Sequence, residues 1–313
     1  MINHREGKLL PQDVGFVGLG NIGRPMAFNV LKRFGHLAAF DIDAARVRTL
    51  AEAGAVAAGS LAVLASKTKV ILLSLPTSAE VERVLLGDGG VAGSAAPGTL
   101  VIDLTSGSPP RSQDIAKRLA ERSIRYIDAG VSGGVVGAEA ATLGIMIGGG
   151  DADVTDAMPY LQAIGKTIVH MGPVGAGHMT KSLNNLLLAA NMVVASEALA
   201  LAAKAGLAPE KVVAAINGSS GRSYITEYRF PNFVLKGDFS SRGGMAMSLL
   251  VKDVAIACDT AKSSGVTMFV GNLVHQMLMR ISDELGSTAP NQSVARAIEG
   301  WAGVQIRSKN KGA

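Results

Sequence analysis

Lys181, Asn184 and Asn185 are polar exceptions in "GHMTKSLNNLLLAANMVVASEALALAAKAG" (177–206), which carries no charge between Lys181 and Glu197. A helix apolar nearly all round is normally buried. Asn184 at i+3 and Asn185 at i+4 project from nearby parts of the face that carries the lysine. Burying an ammonium and two amides with no task is costly, so the triplet reads as a site. A desolvated lysine has a lowered pKa and can carry a proton near neutrality. The alternative is a lysine snorkelling from a frayed helix end. His178 belongs to no set of metal-ligating neighbours and reads as polar lining.

A second constellation lies in "VGFVGLGNIGRPMAFNVLKRFG". Gly18, Gly20 and Gly23 form G-x-G-x-x-G directly after an apolar strand, with Leu19, Asn21 and Ile22 completing the turn. The first glycine permits a tight turn, the second lets backbone approach a pyrophosphate, and the third allows close helix–strand packing. The diphosphate then meets free N–H groups at the positive end of a helix. In a chain with 38 glycines, chance turns must be expected. Here the next strand ends at Asp41, where a carboxylate would accept hydrogen bonds from an adenine ribose. The same carboxylate repels a 2′-phosphate, and "DIDAAR" delays any arginine to Arg46, so NAD is expected in preference to NADP. Asp43 suits a helix cap better than Asp41 does.

Further strand ends offer hydroxyls. "SLPTSAE" presents Leu75, Pro76 and Thr77, and "DLTSGSPP" presents Thr105 and Ser106. In an open parallel sheet ligands bind beyond the carboxyl ends of strands, so these residues are candidates for a cofactor channel. Thr77 and Ser108 serve equally well as N-caps. In "DAGVSGGVVGAEAATLG" (128–144), Ser132, Gly133 and Gly134 combine a hydroxyl with small-residue N–H groups, a nest for a carboxylate. The bland alternative is a glycine-rich loop.

The elements that must position these groups fall into two classes. Strands are expected at 14–18, 37–41, 69–75, 99–104, 124–129, 143–149 and 166–171, with helices at 21–33, 43–53, 78–86, 109–121 and 151–163. Such alternation marks βαβ units on a parallel sheet. After "GPVGAG" (172–177) every segment reads as helix: 178–205, 209–217, 223–236, 247–264, 266–285 and 291–299. The 313 residues exceed what one core comfortably serves. The expected organisation is an α/β domain, 12–175, and an all-helical domain, 176–308, joined by the long helix.

Composition bounds the function. The chain is 48 % hydrophobic and 18 % charged, hence globular. A net charge of +5 permits an anionic ligand, but aromatic residues are 4 % and no basic patch interleaves with them, so no nucleic-acid partner is expected. The tail "RSKNKGA" reads as a solvated end. "MINHREGKLLPQ" lacks the apolar run of a secretory signal. The long helix would place Asn184, Asn185, Asn191 and Glu197 in lipid, so a soluble protein is expected. Cys258 is the single cysteine, which excludes an internal disulfide, suits a reducing cytoplasm and reads as a small buried hydrophobe.

With these residues in view, the chain resembles the β-hydroxyacid dehydrogenases, the group of 3-hydroxyisobutyrate dehydrogenase and tartronate semialdehyde reductase. Four ordered blocks carry the likeness across most of the chain: "GFVGLGNIGRPMAFNV", "DAGVSGGVVGAEAATL", "GPVGAGHMTKSLNN" and "KDVAIACDTA". The resemblance implies a Rossmann-type N-terminal domain, with its doubly wound sheet, and an all-α C-terminal domain that builds a homodimer or homotetramer. It implies that Ser132, Gly133 and Gly134 bind a substrate carboxylate, that Lys181 is the proton donor and acceptor, and that Asn185, beside Asn184, orients the hydroxyl. Lys252 would reach the cofactor or substrate side of the cleft, with Asp253 helping to place it.

The implied reaction is NAD-dependent interconversion of a 3-hydroxy acid and its semialdehyde or keto acid, with no metal. Within the group, "SSGRS" and "GNLVHQML" look more like 3-hydroxyisobutyrate dehydrogenase. A substrate with a second acidic group would need another cation, from Arg222 or Arg229; a salt bridge is the other reading of Arg222. One departure stands out: the family usually has proline where this chain has Gly130, which is expected to loosen the loop.

Overall fold

The computed structural model describes residues 14–240 and 244–307. The opening segment "MINHREGKLLPQ" and all of the tail "RSKNKGA" but Arg307 lie outside them. The chain divides into two compact units, the first ending at Lys181 and the second beginning at Ser182.

The first unit is a sheet with helices on both faces. Its core strands β1 (Val14–Val17), β4 (Val70–Leu73) and β5 (Leu100–Asp103) are buried at every residue. That explains their continuous apolar runs, since a parallel strand covered on both faces has no solvent side. β2 (Ala38–Phe40) and a two-residue β3 (Val56–Ala57) extend one flank. β6 (Arg125–Ser132), β7 (Leu143–Gly148) and β8 (Gly165–Gly172) extend the other. The order is β3-β2-β1-β4-β5-β6-β7-β8. Strand order reverses between β1 and β4, the crevice at which such sheets bind ligands.

The intervening helices are α1 (Gly23–Phe34), α2 (Ala44–Ala51), α3 (Leu61–Lys67), α4 (Ser78–Leu86), α5 (Pro109–Ala120), α6 (Gly134–Glu139) and α7 (Asp151–Leu161). Local chemistry sets several boundaries. Asp43, Ser60 and Thr77 cap α2, α3 and α4 through their side chains, and α5 opens on proline. β3, α3 and α6 are elements that periodicity did not reveal.

One expectation needs correction. β6 and β7 pair antiparallel, from Asp128↔Gly148 to Ser132↔Gly144, while the other ladders are parallel. Between β6 and β7 lies only the six-residue α6 with short flanks. A parallel crossover needs a dozen or more residues, so the chain turns back on itself.

The second unit is helical. α8 (Ala176–Lys204) begins in the first unit and runs on into the second. By length and composition it is the one helix among the described residues that could cross a membrane. Its Ala189, Met192, Val193, Leu199 and Ala200 instead enter the core of the second unit. α9 (Pro209–Asn217) follows. The continuous helix expected at 223–236 is broken into a π-turn (Ile225–Arg229), a short α10 (Phe230–Asn232) and a 3₁₀ turn (Val234–Lys236). Pro231 lacks an N–H and would crowd the carbonyl four residues back, which the wider π-turn relieves. α11 (Met247–Ser263), α12 (Phe269–Leu285) and α13 (Val294–Ala302) complete the unit. Cys258 is buried in its core, and burial pushes the thiol up from its ordinary value.

Candidate active site

The glycine turn has the steric character of a dinucleotide cradle. At Gly18, with φ +92°, a Cβ would stand 2.2 Å from the carbonyl oxygen of Ser74. At Gly23 it would stand 2.0 Å from the carbonyl of Gly18. Around Gly20 nothing lies within 4 Å, leaving the backbone open to a close ligand. No side chain caps α1 at Ile22, so its N-terminus keeps its positive character for a phosphate. The residues therefore fit a dinucleotide.

Asp41 closes the far side of the turn. One of its oxygens accepts the N–H of Leu19 at 2.6 Å and the other that of Asp43 at 2.8 Å. Asp43 is the cap of α2, with its Oδ1 2.9 Å from the N–H of Ala45. Arg46 does come near, at 3.7 Å from Asp41 and 3.3 Å from Asp43. The sequence spacing had suggested a more distant arginine.

At the other strand ends the hydroxyls are more committed than expected. Thr77 caps α4 through the N–H of Ala79 and donates to Glu80, whose carboxyl this bond holds below its ordinary value. Thr105 is 2 % exposed and accepts the N–H of Leu75, stitching the β4 and β5 ends together instead of facing an open channel. Ser108 stands at the N-cap of α5 without a side-chain capping bond; its own N–H donates to Ser78. Leu75 and Ser106 are half-buried and Pro76 is exposed at the same edge.

Beyond β6, Ser132 ends the strand and Gly133 and Gly134 adopt φ of +132° and +65°, both exposed. This backbone favours glycine. Gly130 is no loop residue: it lies inside β6, paired with Met146.

Lys181 is 4 % exposed. The first turn of its helix is anchored by Asp128, fully buried in β6, whose two oxygens accept the N–H groups of Gly175 at 2.6 Å and His178 at 2.7 Å. Burial raises the Asp128 carboxyl from its ordinary value, while nearby His178 and the two N–H donors pull the other way. His178 does not line a cavity. It is 1 % exposed, with Nδ1 2.8 Å from Ser112 Oγ, and its ring occupies the space a Cβ on Gly107 would need. Tyr126 donates to Asp103 at 2.7 Å in the same buried layer. Sequence reasoning passed over Asp128, although an aspartate within the apolar run "YIDAG" was the available signal.

The second unit holds its own cluster. Asn185, 1 % exposed and one turn after Lys181 on α8, donates to Asp253 at 2.6 Å and accepts from Asn184 at 3.0 Å. Lys252 pairs with the other oxygen of Asp253 at 3.2 Å. Asp253 thus serves Asn185 as well as Lys252. Arg222 stands apart: its side chain is 68 % exposed and 3.9 Å from Glu227. Two surface clefts of this unit, about 590 and 530 Å³, are bordered by Arg296 and Glu299 and by Glu210 and Lys236, and contain none of these residues. No group of three metal-ligating side chains occurs among the described residues.

Residues 13–172 match the NAD-binding domain of 6-phosphogluconate dehydrogenase, and residues 175–298 match the NAD-binding domain of NADP-dependent 3-hydroxyisobutyrate dehydrogenase. The chain belongs to the 3-hydroxyisobutyrate dehydrogenase family. It is thereby an enzyme of the NAD(P)-dependent 3-hydroxyacid dehydrogenases. It is 43 % identical over 255 residues to the 2-(hydroxymethyl)glutarate dehydrogenase of Eubacterium barkeri, covering 82 % of this chain and 84 % of that one. It is 39 % identical over 268 residues to a probable mitochondrial 3-hydroxyisobutyrate dehydrogenase of Dictyostelium discoideum, covering 84 % of each. Among solved structures, the 3-hydroxyisobutyrate dehydrogenase of Mycobacterium tuberculosis, with L-serine, superposes at TM-score 0.83 with 28 % identity, covering 92 % of this chain and 99 % of that one.

Proposed function

We propose that this member of the family interconverts a short 3-hydroxy acid and its semialdehyde or keto acid with NAD, and that Lys181 is the general acid and base. The observation carrying this reading is the burial of Lys181, at 4 % exposure, on a helix whose start is fixed to the sheet. A buried ammonium needs a purpose, and proton transfer is one that a buried lysine serves well.

Ser132 and the N–H groups at Gly133 and Gly134 hold the carboxylate. Asn185, held by Asp253, orients the hydroxyl. In oxidation Lys181 accepts the hydroxyl proton; in reduction its ammonium protonates the developing alkoxide and stabilises its charge, worth roughly 10²–10⁴-fold. A dinucleotide held at the Gly18–Gly23 turn would supply the hydride chemistry. NAD is favoured because a carboxylate at Asp41, bound to the Leu19 N–H of the glycine turn, would repel a 2′-phosphate, although Arg46 stands 3.7 Å from it.

The names of these relatives denote acids that share a carboxylate and a hydroxymethyl group one carbon away, which is the chemistry these residues are assigned. The alternative is a reductase of tartronate semialdehyde, sulfolactaldehyde or another short acidic aldehyde. It draws least support from Arg222, which faces solvent beside Glu227. Self-association through the helical unit belongs to the same proposal. Leu187, Val194 and Leu201 are 64, 59 and 71 % exposed at seven-residue spacing on α8. A second copy of the chain would cover this stripe.

A screen of 3-hydroxyisobutyrate, L-serine, 2-(hydroxymethyl)glutarate and short acidic aldehydes with NAD and NADP, read by reduced-cofactor absorbance, tests the reading. Turnover of at least one hydroxy acid with NAD is expected. Activity confined to the aldehydes with NADPH would contradict it.

A further inference from the structure

His178 is tied to the first unit from two directions. Its backbone N–H donates to Asp128 of β6 at 2.7 Å, and its imidazole Nδ1 stands 2.8 Å from Oγ of Ser112 on α5. Ser112 spends its own proton on the carbonyl of Ser108 at 3.1 Å. A hydroxyl has one proton to give, so Nδ1 is the donor in the pair with Ser112. The ring also lies against the connection from β5 to α5, where a Cβ on Gly107 would stand 2.6 Å from Nδ1 and 2.7 Å from Cε1. Both side chains are 1 % exposed, so the bond is made away from solvent.

The two ties do different things. Asp128 takes the N–H groups of Gly175 and His178 close to the helix axis, which fixes where α8 starts but resists rotation about that axis only weakly. Ser112 holds a side chain well off the axis, and so sets the rotation. Lys181 follows three residues later, on a neighbouring part of the same face. A turn of about 10° moves a side-chain tip that lies about 6 Å off the axis through about 1 Å. Misplacements of about 1 Å can cost on the order of 10²-fold in rate.

We infer that His178 is a positioning residue, whose bond to Ser112 sets the rotation of the first turn of α8 and thereby the direction in which Lys181 points. His178 exchanges no proton with substrate; it acts through the lysine. This inference rests on the reading of Lys181 as the proton carrier.

The test compares His178→Leu, which keeps bulk but loses the donor, with His178→Asn, which keeps an N–H where Nδ1 stands, and with Ser112→Ala. Each is assayed with the best turned over of 3-hydroxyisobutyrate, L-serine and 2-(hydroxymethyl)glutarate. In His178→Leu and Ser112→Ala, kcat should fall roughly 10- to 100-fold, while KM for the acid and NADH affinity stay within about threefold of wild type. His178→Asn should recover most of the lost kcat. The double variant His178→Leu/Ser112→Ala should be no slower than the worse single one, since both changes break one bond. A wild-type kcat in His178→Leu, losses that multiply in the double variant, or an Asn variant as slow as the Leu variant would overturn the inference. Circular dichroism and Tm check that each variant is folded; Ser112→Ala removes a single hydroxyl and carries the test where His178→Leu is unstable. Lys181→Met separates the two levels. Turnover surviving in that variant defeats the proton-carrier reading and this inference together, whereas an inactive Lys181→Met beside fully active His178→Leu and Ser112→Ala defeats the inference alone.

Discussion

At the scale of single residues, the buried polar groups to which chemistry is assigned in the proposal stood out in the sequence, but the bonds that hold them did not. Lys181 and Asn185 stand out because a polar side chain in an apolar helix must be accounted for. Their supports, Asp128 and Asp253, come from distant segments, and nothing local to the lysine announces them. Hydroxyls misled for the opposite reason. Thr77 and Thr105 occupy the ligand-binding edge, yet capping and cross-strand bonds claim them first. Asp41 gives the first prediction. Replacing it with alanine removes both the charge that disfavours a 2′-phosphate and the acceptor for the Leu19 N–H, and leaves Arg46 with Asp43 as its remaining carboxylate neighbour. The ratio of kcat/KM for NAD to that for NADP should fall at least about tenfold, since one lost charge interaction of this size is worth roughly 1.4 kcal/mol. An unchanged ratio would show that Asp41 does not select the cofactor.

Among elements, helices with a clear apolar period and a marked start emerged close to their true limits, as with α4, capped by Thr77, and α9, which opens on Pro209. Short pieces such as β3 and α6 escaped because two to six residues carry too little pattern to read. The antiparallel β6–β7 pair was missed because strand direction is set by the length of the connection. That pair matters, since it presents Asp128 and Gly130 to the start of α8. Asp128→Asn leaves one N–H without its acceptor and sets an amide donor against it, destabilising the fold by about 1–3 kcal/mol at neutral pH. The pH dependence has a definite sign. The folded-state carboxyl titrates above its ordinary 3.8, so the folded state binds the proton more tightly than the unfolded chain does. Ionised Asp128 therefore opposes folding at neutral pH, and that penalty is relieved as the pH falls through the raised value towards 3.8. Wild type should gain stability relative to Asp128→Asn across this window, measured by urea unfolding at neutral and acid pH. A constant difference would mean that burial does not perturb the group.

At the scale of the whole molecule, one chain combines a dinucleotide cradle in its first unit with a helical second unit that leaves an apolar stripe on α8 in solvent. Light scattering after size exclusion should find a dimer or tetramer, and Leu201→Glu should shift it towards monomer; a wild-type monomer at micromolar concentration would contradict self-association through that stripe. The central claim concerns turnover, and the most direct measurement is kcat of Lys181→Met alongside its NADH affinity. A neutral side chain of similar length keeps the packing but cannot carry a proton. The account predicts a kcat lower by roughly 10²-fold or more with NADH bound as in wild type. Wild-type turnover in this variant would contradict it.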